Sequence, residues 1–356
     1  MNIMDTYIRE QIIELRHTLH ACPEISGQEK QTKATLQEFL KAHTSLELND
    51  CGEGFYAAHR EGTGNGIAFR ADYDALALPE GGAAHLCGHD GHASALCGLA
   101  LMLEGKTAGR DVFLLFQPAE ETGAGAYPCT KLFEKEQITE IYGAHNLPGF
   151  AFGQVYTRTG TFACGSEGMT LKFHGKATHA AYPENGLSPA HAVGELLRQV
   201  PEILTPEHYT GMVLCTVIGV QMGEKAFGAA AADAEVWLTL RAEHEKDLEL
   251  LRETVWRTAK ELADADGLGF EMEEQDIFPA TENDPACAEK VMERCHGKTL
   301  EVPMRWSEDF GHYLKKCTGA FFGIGAGEDH AALHTIHYEY PDELLEHTAE
   351  AFLRLI

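Results

Sequence analysis

The segment HLCGHDGHASA, residues 85–95, sets three histidines, a cysteine and an aspartate among small residues. Cys87 and His89 are separated by one glycine, which lets the backbone turn so that both side chains can face one point. A thiolate and an imidazole together suit zinc or a similar transition metal. The competing interpretation is a polar turn at the start of a helix, with Asp90 as its cap. His92, three residues beyond His89, fits a hydrogen-bonding role at that helix start better than a ligand role.

Three other stretches carry donors of complementary type. In QPAEETGAGA (117–126) Glu120 and Glu121 precede a Gly-rich turn at the end of an apolar run. One could ligate a metal while the other stays free as a general base, since a ligating carboxylate is poorly placed to take a proton. A solvated acidic turn is the bland alternative. GAHNLPG (143–149) offers His145, and EDHAALHTIHYEYP (328–341) offers His330, His334 and His337, any of which could be an ordinary surface histidine. Together the four stretches supply sulfur, nitrogen and oxygen donors.

The elements needed to position them are legible as patterns. GIAFRAD (66–72) and DVFLLFQ (111–117) are continuous apolar runs suited to buried, parallel strands, and EIYGAH (140–145) reads as a third. Between the first two, Leu96, Leu99, Ala100 and Leu103 share a helical face. Helices are also expected from Ile8 to Leu19 and over 29–43. This alternation is an α/β signature, and in such sheets ligands bind beyond the carboxyl ends of the strands. Asp72 and Asp74 fall at that edge and could orient a ligand histidine or merely cap the strand end. From residue 166 the pattern becomes βαββαβ, with strands near 168–175, 212–221, 233–242 and 268–276 and helices over 188–200 and 245–265. That is a ferredoxin-like arrangement. The expected division is therefore 1–165 and 277–356 as a catalytic domain, with 166–276 inserted. After Pro285 helices fit 285–296 and 308–316, a buried strand 320–325, and a helix from Asp342.

Composition restricts the function classes. Of 356 residues, 28 are basic and 55 acidic, a net charge of −27, which argues against nucleic acid as a partner. No apolar run reaches the length of a membrane span, and the N-terminus lacks a signal-peptide core, so a cytoplasmic protein is expected. The ten cysteines show no framework spacing and are expected as thiols, with Cys97, Cys129 and Cys164 as packing residues.

RADYDAL, CGHDGH, FQPAEETGAGA, GAHNLPG, GKATHAAYPENG, SEDFGHYLKK and ALHTIHY, in this order, closely resemble the amidohydrolase branch of the metal-dependent aminoacylase and carboxypeptidase family. Hippurate hydrolases, N-acetyldiaminopimelate deacetylases and plant indole-acetyl-amino-acid hydrolases belong to that branch. The resemblance runs over nearly the whole chain. It implies a mixed-sheet metallopeptidase-like catalytic domain, with the inserted domain as lid and as the interface of a homodimer. It also implies two divalent ions (Zn, Mn, Co or Ni) ligated by Cys87, His89, Glu121, His145 and His334, the thiolate bridging. Glu120 would be the general base and acid, and His179, in THAAYP, would steady the oxyanion. Water activated at the metals, its proton taken by Glu120, would attack the amide carbonyl of an N-acyl amino acid. Arg241, in LTLRAE, is the best cation for the substrate α-carboxylate through a bidentate fork, its alternative being a surface ion pair with Glu243 or Glu245. Glu308 and Asp309 would buttress the site, while His312, Lys315 and Lys316 read as helix-surface residues.

Two departures bear on substrate choice. The stretch between DALALPE and HLCGHDGH is short, which alters the pocket wall, and Gly228 stands where many relatives carry a substrate-binding asparagine. A dipeptidase or carboxypeptidase remains open beside the deacylase, as does a catalytically silent binding protein. A third alternative makes Cys87 a nucleophile acting without metal.

Overall fold

The computed structural model describes residues 4–356 and separates into two compact units. The first comprises Met1–Phe162, Thr281–Pro303 and Glu308–Ile356. The second comprises Ala163–Ala280 with the tetrapeptide Met304–Ser307, a piece that sequence patterning assigned to the first.

The first unit is mixed α/β, built on an eight-stranded sheet. Its centre is four parallel strands in the order Val112–Gln117, Gly66–Asp72, Ile138–Pro148, Thr318–Gly327. All seven residues of Gly66–Asp72 and all six of Val112–Gln117 are buried, as their unbroken apolar character requires of strands covered on both faces. One flank carries a hairpin, Glu47–Cys51 with Gly54–His59, whose second strand pairs antiparallel to Val112–Gln117. The sequence patterns did not anticipate this hairpin, because its first strand is polar and largely unburied. Its two-residue Gly52-Glu53 connection was the available signal.

The helix His89–Leu103 is buried along its entire length. It lies among Thr6–His20, Leu344–Leu355 and the strand Gly66–Asp72. Ile12, Phe69, Leu96, Leu99, Phe322 and Phe352 form part of this core, and fully burying each such side chain is worth about 1.5–3 kcal/mol. One alternative falls here and one expectation needs correction. Asp90 does not cap the helix: the helix begins at His89 behind Gly88, without a side-chain cap. Asp90 is instead buried in its first turn, where it accepts from Arg16 (3.3 Å) and His20 (2.8 Å). The helix expected over 308–316 shrinks to Gly311–Leu314, because Glu308 and Asp309 turn inward to the guanidinium of Arg70.

The second unit is a four-stranded antiparallel sheet in the order Val213–Met222, Asp233–Ala242, Gly165–His174, Gly269–Phe278. With the helices Ala190–Ile203 and Glu245–Ala265 the chain order is βαββαβ. Alternate residues of Asp233–Ala242, from Ala234 to Ala242, are buried and pack with Leu196, Leu251 and Val255. The edge strand Val213–Met222 leaves Val217, Ile218, Val220 and Met222 exposed.

Candidate metal centre

All four parallel strands of the first unit point their carboxyl ends the same way, and the polar segments lie at or beyond those ends, His145 being inside the last residues of the strand Ile138–Pro148. Gly88 makes the first turn possible. Its φ is +97°, and a Cβ there would lie 2.6 Å from both Asn146 Oδ1 and Tyr338 Oη, so neither the conformation nor the space admits a side chain. Gly125 does the same for the Glu120–Glu121 loop, where a Cβ would meet the Pro118 carbonyl oxygen at 1.7 Å. Within that loop Ala119 has φ +51°, and His334 has φ +60° with its N–H donating to the Leu86 carbonyl. Non-glycine residues in this region are held there by their surroundings.

These turns bring five side chains together. Cys87 Sγ lies 3.4 Å from His145 Nε2 and 3.4 Å from His334 Nε2. His334 Nε2 is 3.6 Å from Glu121 Oε1, and His89 Nε2 is 3.8 Å from the same oxygen. The donor atoms of Cys87, His89 and His145 fall within 4.8 Å of one another, as do those of Cys87, Glu121 and His334. The sulfur is common to both groups. His330 and His337 stay outside: His330 packs against Tyr338 and His337 is exposed.

The ring orientations suit ligation. His89 Nδ1 donates to Asp74 Oδ1 (2.9 Å), which leaves the lone pair on Nε2. His145 Nδ1 donates to the Asn146 carbonyl (2.8 Å), with the same consequence. His89 Nε2 and Glu121 Oε1 are buried and have no hydrogen-bond partner among the described residues. His92 is taken up at both nitrogens, by Asp72 Oδ1 and by Asn146 Oδ1, each at 2.6 Å. Asn146 in turn donates to Tyr338 Oη (2.7 Å).

The electrostatics describe a pocket rich in potential negative charge. Burial, with the Glu121 carboxylate adding, pushes the Cys87 thiol up. Burial pushes Glu121 up to about 7, His89 opposing and Asp74 and Asp72 adding. Glu120 is raised well above the usual carboxylate range by burial and by the charges of Glu308, Glu121 and Asp309. Burial opposes charge on His89, yet Asp72 and Cys87 outweigh it and raise its pKa. The field that draws a proton onto His89 would equally favour a cation. Orphaned buried donors, a mixed S/N/O set and this field fit divalent ions.

Behind the donors stands a buried network that sequence reasoning largely missed. Arg70, 1% exposed, donates to Gln117 (2.8 Å), Asp72 (2.6 Å) and Asp309 (2.8 Å). An arginine inside an apolar run was the signal, since such a charge must be paired. Asn146 and Tyr338 carried no comparable mark. The remaining predicted site residues lie in the second unit. His179 is exposed on the short strand Thr178–His179, and its Nδ1 accepts from the Ala181 N–H (3.1 Å), which leaves the ring proton on Nε2. Arg241 Nη1 donates to Ser307 Oγ (2.8 Å) and the Arg305 carbonyl (3.1 Å).

Residues 68–356 match peptidase family M20/M25/M40. The chain is 29% identical over 345 residues to N-acetyl-L-cysteine deacetylase of Bacillus subtilis, covering 91% of this chain and 82% of that one. It is 28% identical over 365 residues to hippurate hydrolase of Campylobacter jejuni, covering 96% and 94%. Among solved structures, a protein from methicillin-resistant Staphylococcus aureus superposes with a TM-score of 0.88 at 25% identity, covering 98% of this chain and 96% of that one. A Bacillus subtilis protein described as a dinuclear metal-binding peptidase of the M20 family does so with a TM-score of 0.82 at 24% identity, covering 99% and 98%, and shows the same fold. The chain thus belongs to peptidase family M20/M25/M40 and is a hydrolase of amide bonds.

Proposed function

We propose that the protein cleaves the amide bond of N-acyl amino acids, with Cys87, His89, Glu121, His145 and His334 holding two divalent ions. The observation that carries this reading is the membership of one sulfur, Cys87 Sγ, in both donor groups. When bound, the ions would polarise the amide carbonyl and make a water molecule more acidic. Glu120 takes the water proton and returns it to the leaving nitrogen. Burial and the charges of Glu308, Glu121 and Asp309 raise its pKa, a shift in the direction that helps it return the proton. His179 presents an Nε2–H donor suited to a developing oxyanion. Arg241, held through Nη1 among the described residues, keeps the other edge of its guanidinium for a carboxylate. Asp74 orients His89, and Asp72 holds His92 and Arg70.

The relatives named for N-acetylcysteine, hippurate and N-acetyldiaminopimelate support an acyl amino acid as substrate. A metal-free Cys87 nucleophile is disfavoured, because burial pushes the thiol up and depletes the thiolate. We further propose that two copies associate through the exposed apolar edge Val213–Met222, the mass in solution being the check.

The test is hydrolysis of N-acetyl, N-benzoyl and N-succinyl amino acids and of dipeptides, before and after chelation. The account expects loss on chelation, recovery with Zn, Mn, Co or Ni, and preference for an acylated amine. Full turnover in metal-free protein contradicts it, and preference for free dipeptides shifts the assignment to a peptidase.

A further inference from the structure

One buried carboxylate is left without a task by the hydrolytic assignment on which this inference rests. Glu308 is 1% exposed, and both its oxygens are buried and accept no hydrogen bond among the described residues. It lies 3.1 Å from Arg70 Nη2, and its oxygens come within 4.8 Å of those of Glu120 and Asp309. Its neighbour differs. Asp309 accepts from Arg70, from Gln117 Nε2 and from the Ala126 N–H, so its oxygens are fully engaged in architecture.

Three carboxylates this close could suggest a further cation. The guanidinium of Arg70 already supplies positive charge to Glu308 and Asp309, so the cluster has its counter-ion. What remains unexplained is the side of Glu308 that faces Glu120.

We propose that Glu308 is the positioning residue for the general base. Anchored on Arg70, it sets a negative charge behind Glu120 and, when Glu120 is in its ionised base form, repels that carboxylate away from the interior. Glu120 Oε2 is thereby held on the side of His89 Nε2, 4.0 Å away, where the donor cluster lies. Glu308 touches no reacting atom in this account. Its effect is geometric, and misplacing a catalytic group by about 1 Å can cost on the order of a hundredfold in rate.

The test compares Glu308→Gln, which keeps the shape and removes the charge, with Glu308→Asp, which keeps the charge. Each variant is made in the wild-type and Glu120→Gln backgrounds and assayed as the metal-loaded enzyme, with metal content and Tm measured. Glu308→Gln should lower kcat at least tenfold, with KM and metal content within twofold of wild type. Glu308→Asp should recover part of the loss. In the Glu120→Gln background Glu308→Gln should have no further effect, because there is no base left to position.

A merely structural role would move Tm and leave kcat alone. The proposal is overturned if Glu308→Gln keeps kcat within threefold of wild type, if it costs as much without Glu120 as with it, or if its loss tracks lost metal. Should Glu308→Gln not fold, Glu308→Asp decides: a threefold to tenfold fall in kcat supports the proposal, and a smaller fall overturns it. The two levels of the account separate cleanly. An inactive Glu120→Gln beside a fully active Glu308→Gln removes the positioning role only, whereas a fully active Glu120→Gln removes the hydrolytic assignment and this proposal with it.

Discussion

The two units bury polar groups to different extents. Among the described residues, the second unit buries Ser166, Glu167, Thr170 and Asp247, and Asp247 is satisfied locally by the N–H groups of Thr210 and Gly211 and the Thr210 hydroxyl. The first unit buries Arg70, Asp72, Asp74, His89, His92, Glu120, His145, Glu308 and Asp309 along one sheet edge, His89 and Glu308 with orphaned atoms. Burying polar groups without partners costs stability. In the second unit the described residues carry that cost at Glu167, whereas in the first it gathers around the donor cluster, the pattern expected of a functional site. The alternating pattern of Asp233–Ala242 shows how little such burial a sheet needs for folding alone.

Substitutions can break or sharpen this contrast. The largest effect is expected from Glu120→Gln, which should lower kcat by about a thousandfold while metal content is kept, because the proposed base is removed and the proposed metal donors are not. Metal loss with mild loss of activity would show that Glu120 and Glu121 have been exchanged. Cys87→Ser should weaken metal binding by more than about a hundredfold, since the sulfur serves both donor groups; normal stoichiometry by elemental analysis would take Cys87 out of the site. Asp74→Asn should lower metal affinity by about tenfold to a hundredfold through the orientation of His89, as read by titration with a competing chelator.

The smallest effect belongs to the second unit and has a different character. Burial, with Glu274 and Glu245 adding and Arg252 opposing, pushes Glu167 up to about 7, and its Oε1 is buried without a partner. A carboxyl whose pKa is raised on folding contributes stability that is complete below its unfolded value. That contribution is lost as pH rises through 7. Glu167→Gln should therefore raise Tm at pH 8 by about 2–4 °C, some 1–2 kcal/mol, change it little at pH 5, and leave hydrolysis intact. An equal shift at both pH values would rule out a titrating Glu167.

Much of this was legible in the chain. The strand Gly66–Asp72 matched its apolar run residue for residue, as did Asp233–Ala242 and the helix Glu245–Ala265, because hydrophobic period and length agree there. The donors stood out because Cys87, His89, Glu120, Glu121, His145 and His334 are metal-ligating types grouped in short Gly- and Ala-rich segments. Supporting residues were harder to see. Arg70, Asn146, Tyr338 and the division of labour between Glu308 and Asp309 depend on tertiary partners far along the chain, such as Arg70 with Asp309. The polar strand Glu47–Cys51 and the single-turn helix Gly311–Leu314 carry no period long enough to register. The alternative in which Asp90 caps the helix failed because capping is local, whereas its partners, Arg16 and His20, come from another helix.

The most direct test of the central claim is anomalous diffraction from crystals of the active, metal-loaded enzyme. The account predicts two peaks about 3.5–4 Å apart, one at the Cys87, His89 and His145 donors and the other at Cys87, Glu121 and His334, with the Cys87 sulfur between them. An active enzyme with a single peak, with peaks elsewhere, or with a Cys87 sulfur bonded to neither ion would contradict it.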